Sequence, residues 1–96
     1  MPSDASVVLS SQANSFLMRI RSKSSRSKVL SRIHAFATFP RMGILDEDLP
    51  PDQHGGECRV AFITPYGIRY RYYPERQEVY VDTMTDERFD TMTRFL

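Results

Sequence analysis

The stretch Tyr66–Val81, YGIRYRYYPERQEVYV, decides how this chain folds. On both sides of Pro74 apolar and polar residues alternate, the period of a strand with one buried face. Residues 74–77, PERQ, supply a turn between the two runs. The reading is a hairpin with strands 68–73 and 78–82, in which Tyr72 pairs with Val79 and Tyr70 with Val81. Upstream, CRVAFI (58–63) alternates as well and is joined through TPYG (64–67), which makes a three-stranded antiparallel meander.

A register follows from keeping large apolar groups together. Pairing Val60 with Tyr72 and Phe62 with Tyr70 puts these residues on one face with Ile68, Val79 and Val81. The other face then carries Arg59, Ala61, Ile63, Arg69, Arg71, Tyr73, Tyr80 and Asp82, because side chains alternate with period two. On that register Arg71 lies opposite Tyr80, and Arg69 opposite Asp82 as a cross-strand ion pair worth ~0.2–1 kcal/mol.

Working outward, SVVL (6–9) is β-branched and apolar and reads as a short strand. Ser10 offers a helix cap. Ala13, Phe16, Leu17 and Ile20 follow at the spacing of one helical stripe. The helix is expected to fade in RSKSSRSK (21–28), where serines compete for backbone hydrogen bonds and like charges crowd. Val29, Leu30, Ile33, Phe36 and Ala37 form a second stripe that ends before Pro40. Residues 42–56, MGILDEDLPPDQHGG, read as a loop. At the carboxyl end Thr85 is a possible cap for a last short helix bearing Phe89, Met92 and Phe95. Neither helix of the hairpin can cover its stripe alone, so both need a sheet. The expected fold is α+β: an amino-terminal helical hairpin on a mainly antiparallel four-stranded sheet, with residues 1–96 as a single domain.

Charge is unevenly spread. Residues 1–41 hold seven basic side chains against Asp4 alone, and residues 42–96 hold six against eleven acids. Either the basic half meets an anionic partner, or the halves neutralise each other across the fold. The single Cys58 leaves no internal disulfide and no multi-cysteine zinc site. No apolar run approaches a membrane span, and the start has no pattern of a secretory leader, so a reducing cytoplasm is the expected compartment.

The order strand, helix, helix, long loop, meander, with arginines on the sheet, resembles the RelE/ParE superfamily of bacterial type II toxin–antitoxin toxins. The resemblance rests on VVLSSQANSFLMRI (7–20), HAFATFP (34–40), CRVAFITPYGIRYRYY (58–73) and EVYVDTMTDERFD (78–90), and covers about residues 6–90. It implies a growth-inhibiting toxin of a plasmid-stabilisation type of module, neutralised by a cognate antitoxin. Some members cut mRNA on the ribosome, the ribose 2′-hydroxyl attacking the adjacent phosphodiester. Others bind DNA gyrase and poison it. By resemblance Arg59 and Arg69 match basic positions of the cutting branch and Arg88 the late arginine of both branches, with Arg71 an added charge on the same face as Arg69. Such groups hold phosphate and stabilise a pentavalent transition state.

The departures bear on mechanism. Ala61 stands where cutting members often keep a second basic group, and the ending FDTMTRFL has neither His nor Tyr. General acid–base catalysis needs a group that exchanges protons near neutral pH, which arginine does poorly. Tyr73 and Tyr80 are the phenols available to substitute, although a strand tyrosine is commonly packing. The basic link, with Arg21, Lys23, Arg26 and Lys28, reads as a nucleic-acid or partner-binding tip or as a solvated segment; in the gyrase-binding branch the hairpin is the working surface. His34 reads as a surface or boundary residue and Cys58 as a buried thiol. His54 in the acidic loop lacks a second ligand at metal spacing, so no metal or other cofactor is expected. A catalytically inactive, protein-binding member of the family stays open as the alternative.

Overall fold

The computed structural model describes residues 4–88. In chain order these form β1 (Ser6–Leu9), α1 (Ser11–Arg19), α2 (Lys23–Thr38), β2 (Ile44–Leu45), β3 (Glu57–Ile63), β4 (Tyr66–Tyr73) and β5 (Glu78–Asp86). The sheet has five strands in the order β1-β5-β4-β3-β2. Only β1 is parallel to its neighbour, β5, and the other pairs are antiparallel. The fifth strand is the two-residue β2, inside the stretch expected to be loop. The last short helix expected on Phe89, Met92 and Phe95 lies outside the described residues. Thr85 is not its cap but part of β5, opposite Gly67.

Both helices begin on serine. Ser10 Oγ accepts from the Ala13 N–H at 3.0 Å, and Ser22 Oγ from the Ser25 N–H at 3.2 Å. Each hydroxyl satisfies one of the amide groups left open at a helix start. The second cap corrects the expectation for residues 21–28. Because Ser22 caps, the helix resumes at Lys23, and most of the basic link is the first two turns of α2.

The two stripes lie on the sheet. Ala13, Leu17, Val29, Ile33 and Phe36 are buried against Ile68, Tyr70, Val79, Val81 and Met84. Phe36 stacks on Tyr70 with ring centroids 4.1 Å apart. The Tyr70 hydroxyl donates to the Pro40 carbonyl at 2.8 Å and accepts from the Gly43 N–H at 2.9 Å. A Cβ on Gly43 would come within 2.7 Å of that oxygen, so only glycine lets the chain pass here.

Two register expectations fail. In the β3–β4 hairpin Tyr72 faces Glu57 and Tyr70 faces Arg59, three positions from the expected partners Val60 and Phe62. A two-residue connection, Thr64–Pro65, sets this register in place of the expected four-residue turn. Three is odd, so the faces of β3 exchange: Ala61 is buried, and Phe62 is 51% exposed. In the β4–β5 hairpin Tyr72–Val79, Tyr70–Val81 and Arg71–Tyr80 pair as expected. A bulge between Arg69 and Tyr70 then moves Arg69 opposite Thr83, which removes its cross-strand pair with Asp82.

Candidate functional site

The sheet's outer face, away from the helices, carries Arg69, Arg71, Tyr73 and Tyr80. The acidic loop 46–56 lies across it and takes up most of its charge. Arg69 Nη1 is 3.0 Å from Asp46 Oδ2 and 3.6 Å from Cys58 Sγ, which is itself buried. Arg71 Nη1 is 3.4 Å from Asp52 Oδ2, and the Tyr73 hydroxyl donates to the same oxygen at 2.8 Å. Asp52 Oδ1 accepts from the backbone N–H groups of His54 (2.8 Å) and Gly56 (3.0 Å). The Gly56 amide first, then the Tyr73 hydroxyl, the His54 amide and the Arg71 charge, lower the Asp52 pKa to about 2. Burial first, then the bond to Asp52, raises the Tyr73 phenol. Tyr73 is therefore a fixed donor rather than a base. The hydrogen bond and charge of Asp46 hold Arg69 more firmly protonated still.

Between this loop and the open end of β4 and β5 is a cleft of about 690 Å³. Ile44, Val60 and Phe62 form its apolar wall. Its charged lining is Asp46, Glu47, Asp48 and Glu87 against Arg69, so the cleft is acidic.

Arg59 is not on this face. Opposite Tyr70, it turns under the α2–β2 connection, where Nη1 donates to the Gly43 carbonyl (2.8 Å) and the Arg41 carbonyl (3.3 Å). Its Nη2 lies 2.9 Å from Glu57 Oε1, and its side chain is only 13% exposed. Arg41 holds the other side of Glu57 at 2.8 Å and lies over the Tyr72 ring. The Arg41 hydrogen bond is the main reason the Glu57 carboxyl titrates below the usual range. Arg59 is thus a brace for the loop's root, and the expected grouping of Arg59 with Arg69 and Arg71 is broken by the register of β3.

Arg88 lies at the far end of β5. Its Nε and Nη2 bind the two oxygens of Asp86 at 3.0 and 2.7 Å, and its side chain is 66% exposed. Arg71 and Arg88 are thus each paired with a carboxylate. Arg88 shares a second cleft, of about 540 Å³, with Phe16, Arg19, Arg21, Ser22 and Tyr66. Arg21, Lys23 and Lys28 are exposed around the start of α2, and Arg26 is half-buried there, its Nε without a hydrogen-bond partner among the described residues. The structure thus joins Arg88 to the basic link and separates it from Arg69 and Arg71. His34 is exposed on α2. Among the described residues no three of His, Cys, Asp and Glu converge to hold a metal. No described helix is long and apolar enough to cross a membrane.

Sequence reasoning missed Asp46, Asp52 and Glu57 as the partners of these arginines, and Arg19, Phe16 and Tyr66 as walls of the second cleft. The acid-rich run DEDLPPD was a visible signal that the loop had charge to place. Nothing in the spacing told which arginine each acid meets.

Compared by sequence, the chain matches no protein-family model and no curated protein. Compared by structure, it superposes on a chain of the archaeal RelE–RelB complex from Pyrococcus horikoshii OT3 with a TM-score of 0.72. That match has 12% identity and covers 88% of this chain and 96% of the other. The isolated E. coli RelE toxin gives a TM-score of 0.66 at 14% identity, covering 96% of this chain and 99% of the other. With a helical hairpin on a five-stranded mixed sheet, the chain has a RelE-like fold.

Proposed function

We propose that this chain is the toxin of a toxin–antitoxin pair, held by a cognate antitoxin and acting on its target by binding rather than by cutting. The fold supports the toxin role, since one similar structure is a RelE toxin and the other a RelE–RelB complex. The observation that carries the binding reading is the state of the sheet face. Arg69 and Arg71 are each tied to a loop carboxylate, and Tyr73 gives its proton to Asp52. Cleavage of RNA by its own 2′-hydroxyl needs a base, an acid and cations free to meet the phosphate. Here the cations of the sheet face are engaged, Arg59 is a structural brace, and Tyr80 lies between Arg71 of β4 and Val8 of β1, neither of which is a base. The targets this reading allows are those of the family, the ribosome with its mRNA or DNA gyrase.

The test is induction of the chain in a bacterial host, with and without the product of the adjacent reading frame. The expected result is growth arrest relieved by that product, with intact mRNA on ribosomes. Codon-phased 5′ ends that vanish in an Arg88→Ala variant would overturn the binding reading in favour of an endoribonuclease. A gyrase supercoiling assay on the purified chain separates the two targets. Absence of growth arrest would leave only an inactive, protein-binding member of the fold.

A further inference from the structure

We propose that the cleft at the tip of the helical hairpin binds single-stranded nucleic acid, with Arg19, Arg21 and Arg88 on the phosphodiester and Tyr66 beneath a base. The first ground is an excess of positive charge. Residues 5–45 contain no Asp or Glu, so the helical layer cannot neutralise its own cations. α2 has no acid in its first turn, and its open amide groups add partial positive charge where Arg21 and Lys23 already sit. Among the described residues the one carboxylate lining the cleft is that of Asp86, and Arg88 binds both its oxygens. Arg19 and Arg21 make no ion pair among the described residues.

The second ground is convergence. Arg19 and Arg21 come from the end of α1 and the link that follows it, and Arg88 from the end of β5, so only the tertiary fold brings Arg88 to the other two. Asp86 orients Arg88 through two bonds and leaves Nη1 without a hydrogen bond among the described residues. A guanidinium held in this way presents a planar donor to a phosphate.

The third ground is the apolar wall. Phe16 meets the Tyr66 ring edge-on, with centroids 5.8 Å apart. That contact fixes the Tyr66 ring, which is half-buried in the wall of the cleft, where its exposed part can meet a base. An acidic peptide would use the arginines but has no need of the ring. Lys23 and Lys28 continue the positive charge along α2 and would follow the backbone of a longer strand.

The inference rests on the toxin reading for its biological role alone. The purified chain is titrated into a 5′-labelled mixed-sequence single-stranded RNA and into DNA of the same sequence, read by fluorescence anisotropy at several salt concentrations. Arg19→Glu with Arg21→Glu is expected to weaken binding by at least about tenfold and to flatten the salt dependence by roughly 0.7 in slope per lost phosphate contact. Tyr66→Ala is expected to cost several-fold with the slope kept. Arg76→Glu, at the other end of the β4–β5 hairpin, leaves binding unchanged. Whichever polymer binds tighter names the source of the strand. Undiminished binding by the double variant overturns the site, as does displacement of the strand by polyglutamate at equal charge. Binding without growth arrest would keep the site and reject the toxin role; growth arrest without binding would do the reverse.

Discussion

The two clefts of this protein use the same residue, arginine, to opposite effect. On the sheet's outer face every arginine has an acid from the loop beside it, and the cleft that remains is acidic. At the hairpin tip the helices bring no acid, and two of three arginines stay unpaired among the described residues. The difference lies in chain order. The loop 46–56 runs directly into β3 and is laid over the neighbouring strand, whereas both helices fall within residues 5–45, a stretch with no Asp or Glu. A side chain's type therefore says little about its availability, and the acids that can reach it say more. An exposed ion pair contributes only ~0.2–1 kcal/mol to stability, yet it can still occupy the donors a ligand would need.

The largest perturbation would remove what the two clefts share. Phe36→Ala deletes the ring stacked on Tyr70 at 0% exposure and is expected to destabilise the fold by about 3–5 kcal/mol, measured by urea unfolding. Both surfaces should fail together, and a variant that lost only one would show that they fold independently. A smaller change separates them. Arg59→Ala leaves the Arg41 and Gly43 carbonyls short of a donor at the root of the loop and should cost ~1–3 kcal/mol. Arg69→Ala, which loses one half-exposed pair, should stay within about 0.5 kcal/mol. Equal losses would contradict the structural role given to Arg59.

The contrast in charge can be inverted. Asp46→Asn with Asp52→Asn frees Arg69 and Arg71 without changing shape, and should raise affinity for a single-stranded oligonucleotide by about tenfold, or ~1.4 kcal/mol. No gain would mean that the loop acids are not what silences this face. A modest effect is expected at the other cleft: Ser22→Ala removes the cap of α2 and should cost ~1 kcal/mol by thermal unfolding, with binding at the tip weakened only as far as the first turn frays.

Acid provides a further separation. The folded protein holds the Asp52 pKa at about 2, against an ordinary value of 3.8. A depressed pKa adds stability above the ordinary carboxylate range, and that stability is lost as pH falls from about 4 toward 2. Asp86, lowered chiefly by its bond to Arg88, and Glu57, lowered chiefly by Arg41, act in the same direction. Asp52→Asn should flatten the acid limb of the stability curve and leave it unchanged near neutrality in slope. An unaltered limb would show that Asp52 is not a main acid-sensitive contact of the loop.

Much of the fold was legible because it is written in periodicity. The stripe Ala13, Leu17 and Ile20, the stripe Val29, Ile33 and Phe36, and the inner row Ile68, Tyr70 and Tyr72 all found the core. The cap at Ser10 and the helix end before Pro40 were legible too, since capping and proline act within a turn of where they stand. The candidate site was far less so. Which face Arg59 takes depends on whether the β3–β4 turn has two residues or four, and which acid Arg69 meets depends on one bulge. Neither has a marker in the alternating pattern, which reads the same in both registers.

What residue order alone settled is local: two amphipathic helices, a meander, an acid-free helical layer and an acid-rich loop. These follow from spacing, capping and composition, whose range is a turn of helix or a pair of strands. Only the tertiary structure decided which arginines are spent on carboxylates and which are left to meet a ligand. That outcome depends on bringing together residues twenty to seventy positions apart, such as Arg69 and Asp46 in an ion pair or Arg88 and Arg19 in one cleft, and an odd shift of register is enough to exchange one set of neighbours for another.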